Sequence, residues 1–381
     1  MGVNMSKSVA LLLVLVFLTA PCIIAPLPVN AGSKTIVVPD DYPTISSAIG
    51  NATAGDTIFV KKGTYEGPKD QTLVIDKSVS LIGEDANGTI LNLHPAYNEW
   101  WILTQQFFNY SDAIVIDAND VALSNFTIIP SPGGDISATG DRIRITGNTI
   151  GNSAATSLSV SGSYNVISGN SASHYIHLDN VNSGKVINNT CFSLRLGFSG
   201  ICSDSVISGN NIDGNKIRGP GYYGIHIKAS TNNIFYNNYL ANLHGYGERD
   251  RMAGWGVGFD YGCLAENNTF YHNVFIDNNY NVGFDENVTL IGNLWDNGKE
   301  GNYWDDYNGT DANRDGIGDI SYVIDGNNID NYPLMAPFDI ENDTVVLPPP
   351  EPFPTILIIA VVATAAVIGV ALLVYFKKRK R

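Results

Sequence analysis

The chain has 381 residues and a 44% hydrophobic composition, enough for one large or two ordinary globular domains and too apolar for disorder. Its formal charge of −15 at pH 7 argues against a nucleic-acid partner, which a surface of this sign repels. The same balance suits cations, or plain solubility at a cell surface.

Lys7 precedes an apolar run from Val9 to Ala20, and "PVNA" at 28–31 supplies small residues for cleavage near Ala31. Residues 1–31 therefore read as a secretory signal ahead of one folded domain over 32–340. Export permits disulfides, but only Cys191, Cys202 and Cys263 remain after cleavage, and no pairing is assigned to this odd set. "YPTISSAI" (42–49) predicts a short amphipathic helix with Ile45 and Ile49 on one side, placed to cover the open end of a stack of strands. "LVID" (73–76) and "VSLIGED" (79–85) look like an early winding of a repeat. The aromatic stretch "AYNEWWILTQQFFNY" (96–110) is too apolar to stay exposed, so it reads as packing over the early coils more readily than as a sugar platform.

From residue 114 the repeat is regular. Apolar pairs two residues apart recur at Ile114/Ile116, Ile136/Ala138, Leu158/Val160, Ile176/Leu178, Leu194/Leu196, Ile225/Ile227, Val257/Phe259 and Val282/Phe284. Asn125, Asn148, Asn170, Asn189, Asn210, Asn238, Asn273 and Asn293 alternate with them. Each pair is a strand with one buried face. With no helix between strands, a doubly wound sheet is excluded. The pattern predicts an all-β, single-stranded, right-handed parallel β-helix of about eight to ten coils. The asparagines are expected at corners in the left-handed conformation, their amides stacking from coil to coil. They are architecture, not a binding surface. "GNYWDDYNGTDANRDGIGD" through "NYPLM" is expected to close the far end, with Trp304, Tyr322 and Tyr332 supplying bulk.

Residues 341–354 form a proline-rich spacer, stiff by composition. The uncharged run Ile356–Phe376 comes next, within a span taken as 355–376, and reaches about 31 Å as a helix, enough to cross a hydrocarbon core. The basic tail "KKRKR" (377–381) then stays in the cytoplasm. The expectation is a single-pass membrane protein with an extracellular ectodomain.

"IVVPDDYPTISSAI…AGDTIFVKKGTYEG…LVIDKSVSLIGE" resembles the opening of secreted β-helix proteins of the pectinesterase and pectate-lyase type. "NNTFYHNVFIDN…LWDNGKEGNYWDDYNGTDANRDGIGD" is similar to the NosD-like family, named for a periplasmic copper-handling accessory protein. The resemblance covers roughly residues 34–338. It implies the fold, and it also implies the surface-anchored layout seen in archaeal relatives.

Chemistry is sought on the outward residues. Those between the inward pairs form one line: Ser137, Ser159, His177, Arg195, His226, Gly258 and Gly283. Those just after the pairs form a second: Thr139, Ser161, Asp179, Gly197, Lys228, Asp260 and Asp285. His177, Arg195 and His226 should occupy consecutive rungs ~4.8 Å apart. Insertions at 217–224 and 244–256 would form groove sides. A catalytic reading uses Arg195 to hold a sugar carboxylate and His177 or His226 as general base, with Asp179, Lys228 and Asp260 beside them. A plain solvated polar face accounts for the same residues. Glycans of the envelope or surroundings are the expected partners, bound rather than cleaved. A polysaccharide lyase or hydrolase, and a structural adhesin without any site, are the alternatives.

Copper is not expected. His177 and His226 lie roughly 9.6 Å apart by strand spacing with Arg195 between them, and "HYIH" puts His174 and His177 on opposite faces. Only Met252 and Met335 supply thioether sulfur to the domain. Calcium is expected at "DANRDGIGD" (311–319). There Asp311, Asn313 and Asp315 offer oxygens at alternate positions, Gly316 permits the turn, and the Ile317 carbonyl and Asp319 complete the set. Gly318 and Tyr322 depart from the helix–loop–helix pattern, so the site would staple a loop.

Overall fold

The computed structural model describes residues 33–94, 97–102, 105–110, 112–130, 135–151, 156–216, 223–245 and 254–338. The expected signal segment, spacer, membrane span and tail lie outside these residues. Among the described residues no helix is long and apolar enough to cross a membrane.

Short strands rich in Ile, Val and Leu wind into a parallel β-helix with three sheets, in the right-handed sense that parallel crossovers take. Sheet 1 stacks ten strands from Thr35–Val38 to Thr269–Tyr271. Sheet 2 begins at Gly63–Glu66, ends at Tyr303–Trp304, and is bridged midway through Thr190. Sheet 3 carries the line of candidate residues and runs from Leu73–Ile75 to Tyr280–Phe284. A typical coil passes Ile136–Thr139, Arg144–Thr146 and Thr149–Ile150 before returning to sheet 3. The inward pairs from Ile114/Ile116 to Val257/Phe259 are buried as expected, and Val282 and Phe284 pack half-buried at the last rung. The winding at 73–83 is confirmed, and strands Thr35–Val38 and Thr57–Val60 begin the stack two rungs earlier in sheet 1. The 96–110 stretch holds an antiparallel hairpin, Tyr97–Ile102 with Gln105–Tyr110. Its side-chain packing lies outside what the structure describes.

The asparagine ladder differs from expectation in three respects. First, the stacked asparagines are not the left-handed residues. The residue before each one is, as at Gly147, Gly169, Asn188, Gly209, Asn237 and His272. The left-handed residue turns the chain, and the next residue points inward. Second, Asn125 is itself such a turning residue and faces solvent. Buried Phe126 fills its rung and donates its N–H to Asn148 Oδ1. Third, Asn293 belongs to a separate ladder at the other corner, through Asn233 and Asn268. The main ladder runs Asn148, Asn170, Asn189, Asn210, Asn238, Asn273 and Asn302 and ends at Asp330. Each Nδ2 donates to the next Oδ1 and to a backbone carbonyl, for example Asn189 Nδ2 to Asn210 Oδ1 at 3.0 Å and to Ile167 O at 2.9 Å. Buried amides are thereby satisfied without water.

The predicted cap helix is present as α1, Ile45–Asn51. Thr44 and Ser47 form its capping box, and Ile45, Ala48 and Ile49 cover the first coil. Lys77 Nζ donates to the carbonyls of Ile49, Gly50 and Ala52, neutralising the exposed C-terminal end. At the other end Trp304 is buried and stacks on Phe275 and Tyr322, as expected. Tyr332 is 37% exposed and contributes little bulk; Trp295, stacked on Phe270, takes that role.

Candidate functional site

Strand register brings the predicted first line together. His177 pairs with Arg195, Arg195 with His226, His226 with Gly258, and Gly258 with Gly283, while Ser159 pairs with His177 on the other side. Asp179, Lys228 and Asp260 stand alongside. Asp179 Oδ2 lies 3.3 Å from His177 Nε2, and Asp260 lies 3.8 Å from both His226 Nε2 and Lys228 Nζ.

The surroundings are aromatic, and the outward line is not an ordinary solvated face. The Arg195 guanidinium lies 3.6 Å over the Tyr175 ring and 5.9 Å from Phe198. Phe198 meets both His177 and His226 edge-on. Tyr223 stacks on His226 at 3.7 Å with the rings 6° from parallel, and Trp255 meets Tyr223 edge-on. Each of these contacts has a local cause. Tyr175 precedes His177 by two residues, so the strand turns both outward. Phe198 is lifted by extra residues between Leu196 and Cys202, an outward bulge that Ser199 N–H ties to Asp179 Oδ1 at 2.7 Å. A second bulge at 260–263 carries Asp260 and Tyr261, and Lys228 Nζ donates to the Tyr261 carbonyl. Gly258 and Gly283 exist for close approach. A Cβ on Gly258 would meet the Tyr223 ring and come within 2.7 Å of Trp255, and one on Gly283 would enter the Trp255 indole.

Among the described residues this packing leaves polar atoms buried without hydrogen-bond partners on three adjacent rungs: His177 Nε2, Ser193 Oγ, Arg195 Nε and both ring nitrogens of His226. A cluster of such atoms is costly unless something else satisfies it. Among the described residues no carboxylate is within ion-pair distance of Arg195. Burial, aided by Arg195 and Lys228, pushes His226 down to about 3. Burial also lowers His177, with Arg195 acting in the same sense and Asp179 only partly opposing. Both imidazoles are therefore neutral at pH 7 and each offers one donor and one acceptor. The site's cations are Arg195 and, at its edge, Lys228.

Sequence reasoning missed Tyr175, Ser193, Phe198, Tyr223, Trp255 and Tyr261. Tyr175 and Ser193 were findable as outward residues two before His177 and Arg195. Phe198 and Tyr261 sit in bulges that carry no repeat signal. The groove sides expected at 217–224 and 244–256 fall largely outside the described residues; 223–224, 244–245 and 254–256 are their described parts, with Tyr223 and Trp255 among them.

The 311–319 turn stands apart, in the closing cap. Asp311 accepts the N–H groups of Asp315 and Gly316, Asp315 accepts that of Ile317, and Asp319 accepts that of Ala312. Among the described residues no three His, Cys, Asp or Glu side chains are grouped to hold a metal. The three cysteines among the described residues, Cys191, Cys202 and Cys263, are free, buried thiols, and burial raises all of them, Cys202 to about 11.

Among known proteins, the family described as "Periplasmic copper-binding protein (NosD)" matches residues 49–309. A "Probable ABC transporter binding protein NosD" from Pseudomonas aeruginosa is 28% identical over 123 residues, 32% of this chain and 27% of the relative. The match thus spans about a quarter of that relative's length. Similar solved structures include a pectin methylesterase in complex with a hexasaccharide, at 15% identity and TM-score 0.38 over 72% of this chain and 94% of that one. The Dettilon tailspike protein is similar at 12% identity and TM-score 0.39, over 70% of this chain and 66% of that one. The described donor set does not fit a copper ion. His94, His244 and His272 each face a separate carboxylate, on Glu66, Asp277 and Glu300. His177 and His226 are divided by the Arg195 cation.

Proposed function

The chain belongs to the NosD family, and on that footing we propose that it is an exported β-helix protein that binds acidic glycans on the sheet 3 wall between Tyr175 and His226. One observation carries this reading: Arg195, a cation without a carboxylate partner among the described residues, held between aromatic rings on a strongly acidic protein. A guanidinium so placed offers a forked donor to a sugar carboxylate or sulfate. The half-buried His177 supplies a further polar partner beside it, and flat rings supply stacking area. The ectodomain would stand outside the cell, tethered through the run at 356–376.

A glycan array with the soluble ectodomain tests this. Binding to acidic glycans is expected, and Arg195→Ala should abolish it while the melting temperature falls by a few degrees at most. The lost contacts are two cation–π pairs, together about 1–2 kcal/mol. A large loss of stability would make Arg195 a structural bridge instead. A second reading, a polysaccharide lyase or hydrolase, draws on the neutral His177 beside Arg195. Release of shortened or unsaturated products from a bound glycan would decide for it. Silence on the array would favour an adhesin or envelope spacer.

A further inference from the structure

The wall is closed at one end. From Ser137 to Arg195 the outward line consists of half-buried polar side chains: Ser137, Ser159, His177 and Arg195. Beyond His226 the next two rungs carry glycines whose space is filled by rings. Tyr223 lies flat on His226 and reaches over Gly258, and Trp255 lies over Gly258 and Gly283. Trp255 is 5% exposed and wedged edge-on against Tyr223, so this block is packed into the protein. The Phe198 bulge roofs the same end from the side, touching His177 and His226. Arg195 thus lies just before the stop.

Resting on the glycan-binding reading above, we infer that this wall receives the end of an acidic glycan chain, with the terminal sugar at Arg195, and does not admit the interior of a polymer. An open groove would let a chain pass in both directions along the stacked rungs. Here a chain entering over Ser137 and Ser159 meets the Tyr223–Trp255 block after ~19 Å at strand spacing, the length of a short oligosaccharide. The chemistry is otherwise unchanged: one anionic group on the guanidinium, a hydroxyl on the half-buried His177, and a pyranose face against Tyr175 or Phe198.

The test is a length series on the unaltered protein, titrating oligogalacturonates and oligomannuronates from monomer to octamer, then the long polymers. Affinity per chain should rise over the first few units and then stay level. At equal sugar concentration a polymer ten times longer should bind about tenfold more weakly, because only its ends count. Equal or tighter binding of the polymer per sugar would overturn the inference while leaving the site's glycan reading intact. Failure of every length in both series would remove the glycan reading itself, and the inference with it. Trp255→Ala and Tyr223→Ala, checked for fold by circular dichroism, should each raise polymer binding toward that of the oligomers. If either fails to fold, the length series still decides.

Discussion

At the scale of single residues, Gly258 and Gly283 matter as much as the charged groups they adjoin. Each leaves out a side chain so that a ring can lie on the strand. Gly283→Ala should therefore cost about 1–3 kcal/mol, an overpacking penalty, and lower the melting temperature by several degrees. A melting curve unchanged by this substitution would mean that the indole has room to move. The imidazoles show the reverse case, residues whose type was legible but whose state was not. His177 and His226 read equally well as exposed, titrating bases, and packing against Phe198 and Tyr223 makes them neutral.

At the scale of elements, the corner is the unit that the repeat conserves: one left-handed residue, then one inward residue. The two positions answer differently to mutation although both often hold Asn. Asn210→Ala removes the acceptor for Asn189 N and Nδ2, and the donor for Val186 O. Leaving such buried groups unmet should cost roughly 2–4 kcal/mol. Asn125→Gly changes an exposed turning residue that glycine suits at least as well, and should shift stability by less than about 0.5 kcal/mol. Chemical denaturation of the two variants measures the contrast directly, and equal losses would refute the division of roles. The 311–319 turn is an element of another kind, built from hydrogen bonds between its own acids and its own N–H groups. We retain calcium there as a proposal from its composition. Melting in millimolar calcium should then lie above melting in chelator by mass action. Coincident curves would leave a self-capped turn.

At the scale of the whole molecule, the amide ladder runs from Asn148 through the stack and ends on the buried carboxylate of Asp330. Burial raises that carboxyl to about 6 from an ordinary 3.8, against the donors Asn302, Trp304 and Tyr332 that favour its charge. A carboxyl raised in the folded state contributes its stability in full below the unfolded value and loses it as pH rises through the folded one. The window is about pH 4 to 6, and the difference corresponds to about 3 kcal/mol. Asp330→Asn has no such group to ionise. Its melting temperature relative to the unaltered protein should therefore climb across that window and level off near pH 7. A difference that stays flat with pH would show that Asp330 holds its charge at no cost.

The parallel β-helix was legible in the sequence because period-two burial and corner spacing are local properties of the chain. The same periodicity placed Ser159, His177, Arg195, His226, Gly258 and Gly283 on successive rungs. Spacing reads Asn125, a turning residue, and Asn293, a member of the other ladder, into the main ladder, and the cause is equally local. Turning and inward residues are adjacent and often share one residue type, so spacing alone does not separate them. What covers the wall was settled only in three dimensions. Phe198 reaches it from a bulge, and Tyr223 and Trp255 from strand ends after insertions, all outside the repeat. Periodicity decides which way a strand residue points. Whether solvent, an aromatic ring or a ligand meets it there depends on segments free of the repeat, and that is decided by packing between coils.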